Sequence, residues 1–83
     1  RQPFNPETQI KYDLPVPGHV ELSIYNILGQ RVRVLVNQIQ DAGHKSVIWD
    51  GKDNDGREVA SGIYFYKIVA ENFKKTKKMV LLK

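Results

Sequence analysis

Apolar and polar positions alternate with period two along most of the chain. His19-Val20-Glu21-Leu22-Ser23-Ile24-Tyr25 puts Val20, Leu22 and Ile24 on one side, the mark of a strand with one buried face. Thr8 to Leu14 does the same with Ile10, Tyr12 and Leu14, and Arg31 to Val36 with Val32, Val34 and Val36. Lys45 to Trp49 and Gly62 to Ala70 are rich in Val, Ile, Tyr and Phe, which suit a pleated, half-buried surface. Lys77 to Leu82 closes the series. Turn residues part these runs at Pro15-Val16-Pro17-Gly18, Asn26 to Gln30 around Gly29, Asp41-Ala42-Gly43, Asp50 to Gly56, Ser61-Gly62 and Glu71-Asn72. Gly, Asn and Asp serve there because they tolerate positive φ or bond their own backbone. No stretch keeps a helical period; Arg31 to Gln40, the nearest to one, is rich in β-branched residues. The pattern predicts about seven short strands in an all-β, immunoglobulin-like antiparallel β-sandwich.

The length of 83 residues suits one domain spanning the chain, with 41% hydrophobic and 27% charged residues, an ordinary globular balance. Cysteine is absent, which excludes disulfides, a thiol nucleophile and thiolate metal sites. No apolar run approaches the ~20 residues that span a bilayer, so membrane insertion is not expected. The chain has no initiator Met and no apolar leader core, and reads as the C-terminal piece of a longer protein. The net charge of +4 is uneven. Lys74, Lys75, Lys77, Lys78 and Lys83 crowd the end without an acid, while Asp50, Asp53, Asp55 and Glu58 cluster in the middle.

Few residues point to chemistry. Asp53-Asn54-Asp55-Gly56 matches part of a calcium loop, but the first and twelfth ligand positions fall on Gly51 and Gly62, so that motif fails. An irregular calcium site at Asp50, Asp53 and Asp55 is the one cofactor candidate, against a loop whose Asp and Asn side chains bond backbone amides. His19 and His44 sit at strand starts with no paired nucleophile, and an enzyme is not expected. Trp49 with Tyr64, Phe65 and Tyr66 offers either an aromatic platform for sugars or a buried core. The lysines from Lys74 to Lys78 lack the interleaved aromatics of a nucleic-acid site and read as gatekeepers on a sheet edge.

The blocks, taken in order, resemble the C-terminal sorting domain of proteins exported by the type IX secretion system of Bacteroidetes. Pro3-Phe4-Asn5-Pro6 leads to Thr8, Ile10, Tyr12, Leu14 and Pro15; Val20, Leu22, Ile24, Tyr25, Asn26, Leu28, Gly29 and Val32 follow. Next come Gly43, Val47, Trp49, Asp50 and Gly51, then Ser61, Gly62, Tyr64 and Tyr66, and finally Lys77 to Lys83. Gln2 stands where that family commonly has Asn. The immunoglobulin-like domain of flagellar hook-capping proteins is a neighbouring family, similar over the Trp49-Asp50-Gly51 to Tyr64 part.

The sorting-domain resemblance implies a non-catalytic targeting module fused behind an N-terminal cargo domain. Its partners would be type IX translocon components and a sortase-like protease. Its route would pass through the periplasm to a secreted or cell-surface state. Recognition would fall on Lys78, Met79, Val80, Leu81, Leu82 and Lys83, in a terminal strand lying at a sheet edge, where weak self-association is also open. The alternative is a carbohydrate-binding or adhesive accessory sandwich of a secreted hydrolase, with exposed aromatics around Trp49 or Tyr64.

Overall fold

The structure, a computed structural model, describes residues 8–82, so Pro3, Asn5, Pro6 and Lys83 lie outside the described residues. Six strands follow in order: β1 (Thr8–Leu14), β2 (Gly18–Asn26), β3 (Arg31–Gln40), β4 (Gly43–Trp49), β5 (Gly62–Ala70) and β6 (Phe73–Leu81). β1 and β4 form a two-stranded sheet, and the other four run in the order β3-β2-β5-β6. All these pairings are antiparallel. β2–β3 and β5–β6 are hairpins within the larger sheet, whereas the links β1–β2 and β3–β4 step between sheets. The first of these carries Pro15 and Pro17, which have no N–H to extend a ladder.

Among the described residues six strands stand where about seven were expected. The stretch between Trp49 and Gly62 is a loop, pinched by one isolated bridge between Lys52 and Glu58. β3 runs on to Gln40, which pairs with Gly18, and β6 begins at Phe73, opposite Ala70. The lysines from Lys74 to Lys78 therefore belong to the final strand and occupy an edge of the four-stranded sheet. Charged side chains there discourage pairing with another chain.

One core joins the two sheets. Ile10, Tyr12 and Leu14 of β1 and Trp49 of β4 meet Val20, Leu22 and Ile24 of β2, with Val36, Tyr64, Ile68 and Leu81 from the remaining strands. Trp49 is fully buried, and its ring meets Tyr64 edge-on across the gap, centroids 5.2 Å apart and planes inclined at 68°. Tyr12 adds a second tie between sheets, its hydroxyl donating to Gln40 Oε1 at 2.6 Å.

β3 breaks the expected alternation. Its register against β2 passes from Val36 to Val34 and from Arg33 to Arg31, leaving Leu35 and Val32 as extra residues. Such bulges turn a side chain to the other face. Leu35 and Val32 accordingly pack on the core, so Val32, Val34 and Val36 do not form a simple face. Ser23, on the outer side of β2, is buried at the sheet centre, and its Oγ has no hydrogen-bond partner among the described residues.

Leu22 is fully buried and Ile39 is 79% exposed. Leu22→Ala is expected to cost about 2–5 kcal/mol in chemical denaturation, a large part of the ~5–15 kcal/mol that holds a typical domain together. Ile39→Ala should stay within about 0.5 kcal/mol.

Candidate functional site

The richest polar cluster lies where β4 leaves the core. The Trp49 indole N–H donates to the Lys52 carbonyl at 2.9 Å. The same carbonyl accepts Arg33 Nη1 at 3.0 Å. Arg33 Nη1 also reaches Asp50 Oδ1 at 2.9 Å, and that oxygen takes the Lys52 N–H at 3.1 Å. Gly51 makes the tight return possible with φ of 77°, where a side chain would meet its own backbone. Further along, Asn54 acts as a short strand substitute on the edge of β3. Its N–H donates to Val32 O at 3.1 Å, and its Oδ1 accepts the Val34 N–H at 3.0 Å. Asp53 Oδ1 accepts the amides of Asp55 and Arg57, closing the turn that ends at Gly56.

The β2–β3 turn is equally determined. Asn26 Oδ1 accepts the amides of Leu28 and Gln30, both at 3.0 Å, and Gly29 takes φ of 82°. This is the side-chain mimicry that makes Asn a turn former. On the far side of the loop, the Tyr64 hydroxyl donates to Ala60 O at 2.7 Å and so holds the chain into β5. Burial raises the pKa values of Tyr12, Tyr64 and Tyr66 above the ordinary 10.0, because the phenolate loses solvation; at Tyr12 the Gln40 hydrogen bond works against the rise.

The residues singled out by the sequence scatter across this framework. Asp50, Asp53 and Asp55 do not converge: Asp50 faces Arg33, Asp53 faces backbone amides, and Asp55 faces Arg57 at 3.5 Å. No group of three or more His, Asp or Glu suited to a metal occurs among the described residues. Calcium at these three positions would also have to displace the Arg33 guanidinium. His19 contacts Asn37 and His44 contacts Asp13, on different sheets and both exposed. Trp49 and Tyr64 are core, with Tyr66 packed against it, so no sugar platform forms around them. In the terminal segment Leu81 is buried and Met79 packs on the core, while Lys78, Val80 and Leu82 point outward. Sequence reasoning passed over Arg33, whereas the expectation that Asn and Asp side chains of the turns bond backbone amides holds at Asn26, Asp53 and Asn54. A cation set between valines at Arg33 was the available signal, since a charge facing the core needs a partner.

The model of the FlgD Ig-like domain family matches residues 4–74. The chain belongs to that family. The chain also superposes on the crystal structure of FlgD from P. aeruginosa with a TM-score of 0.70 and 28% identity, covering 90% of this chain and 59% of that one. A second match is FlgD from Xanthomonas campestris, described as giving insights into the hook capping essential for flagellar assembly. There the TM-score is 0.71 and the identity 23%, over 94% of this chain and 57% of that one. The chain thus spans less than two thirds of either FlgD structure. No curated protein matches it.

These findings overturn the type IX sorting reading, and with it the translocon components, the sortase-like protease, the N-terminal cargo and the periplasm-to-surface route. The carbohydrate-binding alternative falls as well. The physical reason lies in what the shared blocks do. Gly29 makes a turn, Trp49-Asp50-Gly51 seats an indole and returns the chain, and Gly62 to Tyr64 enters β5 through a φ of 154° and a hydroxyl anchor. They report a fold, and the FlgD Ig-like family carries that fold. The terminal stretch read as an address has Met79 and Leu81 already committed to the core.

The tyrosines set an alkaline limit. Their protons are held more tightly in the folded chain than in the unfolded one, so the unfolded state ionises first as pH rises past 10. The stabilisation is present in full below that pH and is lost as pH climbs through the folded-state values. Denaturation midpoints followed from pH 8 to 11.5 should fall only above about pH 10. Tyr64→Phe should lose about 1 kcal/mol at pH 8 and show a shallower alkaline decline.

Proposed function

We propose that this chain is a non-catalytic scaffold domain of a FlgD-type hook-capping protein, working in flagellar assembly. The observation that carries the reading is the FlgD Ig-like match over residues 4–74, which takes in β1 to β5 and the opening of β6. It is supported by how the polar groups are used. Arg33, Asp50, Asn54 and Asn26 are bound into turns and strand edges, an economy suited to a rigid spacer that presents surfaces. Fold alone does not assign function, so the assignment needs a cellular test.

The test is a graft of this chain in place of the corresponding segment of P. aeruginosa FlgD, scored by swimming and by counting hooks in electron micrographs. Hook formation well above that of cells lacking FlgD is expected, with Trp49→Ala abolishing it by unfolding the graft. Hookless cells that nonetheless contain the chimera, folded and at normal levels, would overturn the proposal.

A further inference from the structure

We propose that the outer face of the four-stranded sheet, beside the β2–β3 turn, binds an acidic segment of a partner protein through an apolar anchor. An open groove of about 320 Å³ lies there, lined by Tyr25, Ile27, Gly29, Phe65, Lys67 and Thr76. Register places Tyr25, Phe65 and Lys78 in one cross-strand row and Ser23, Lys67 and Thr76 in the next. Ile63 opposes Val80 in the row beyond, with Val80 57% exposed. These positions alternate with the core-facing set and share the opposite face.

Two features point to an occupant. The first is apolar exposure held rigidly. Ile27 and Leu28 are 68% and 78% exposed, yet the Asn26 hydrogen bonds and Gly29 fix the turn that carries them. A preorganised apolar display loses little freedom on binding, and large exposed apolar groups gathered beside a groove mark interaction sites. The second is charge. Lys67, Lys74 and Lys78 stand on this face of β5 and β6, and neither strand contains an acid. No ion pair involves these lysines among the described residues, and Glu21, the acid of this face on β2, already faces Arg31 at 3.5 Å. The cations run along the strands beside the groove rather than ringing Ile27 and Leu28. That line complements carboxylates flanking a buried leucine or phenylalanine on a peptide. The inference does not depend on the flagellar role and can fail without affecting it.

The test titrates the isotope-labelled chain with an octapeptide of two central leucines flanked by glutamates, followed by amide shifts. Saturable shifts at Ile27, Phe65 and Thr76 are expected, weakening with added salt. Lys67→Glu should weaken binding about tenfold, while Lys11→Glu, on the exposed side of the other sheet, should leave it within about twofold. Three results would overturn the proposal: no saturable shift, equal binding of the same peptide with lysines for glutamates, or unchanged affinity in Lys67→Glu. Binding to phosphatidylglycerol vesicles without binding to the glutamate peptide would overturn it too, in favour of a lipid surface.

Discussion

An indole N–H sealed inside a protein must find an acceptor, and Trp49 sets that requirement at the centre of this molecule. The ring is fully buried between the sheets, edge-on to Tyr64. Its N–H is met by the Lys52 carbonyl, only three residues ahead, so the chain must fold straight back on itself at Gly51. The carbonyl's remaining capacity draws in Arg33 from β3, and Asp50 balances the guanidinium. One donor thus ties β4, β3 and the long loop into a single unit, and the ring's contact with Tyr64 adds β5. The bulges of β3 have their place in this arrangement, since Arg33 reaches the loop while Val32 and Leu35 lean back into the core.

The same economy explains why motifs that look like an address prove to be architecture. Glycines at positive φ, an Asn that closes a turn and a Tyr hydroxyl that holds a strand entry serve to build this sandwich. Their order along the chain resembles a sorting domain, and it equally satisfies the FlgD Ig-like family model over residues 4–74. Motifs of this kind identify a fold, and function has to be argued from surfaces that the fold leaves unused.

On that view the two sides of the larger sheet differ in kind. The inner side carries the core. The outer side keeps a shallow apolar groove, two exposed aliphatic side chains on a braced turn, and a row of lysines with no acid on their own strands. Lysines on the β6 edge guard against indiscriminate strand pairing. The same charges select what can approach the neighbouring face.

The local periodicity of the chain determined a great deal by itself. Strands at Thr8–Leu14, His19–Tyr25 within β2, and Gly62–Ala70, the all-β class and the inward placing of Ile10, Leu22 and Ile24 were legible, because period two and turn chemistry act within a few residues. The pairing of β1 with β4 instead of β2, the two bulges of β3 and the long-range partners of Asp50 and Asn54 on β3 were not. Each depends on residues far apart in sequence meeting across a sheet, as Arg33 meets Asp50 and Asn54 meets Val34. The carboxylates of the acidic loop look the same in sequence whether they hold a cation or an arginine. Only the tertiary structure brought the guanidinium to Asp50, because strand pairing and loop closure decide which charges come within reach of one another.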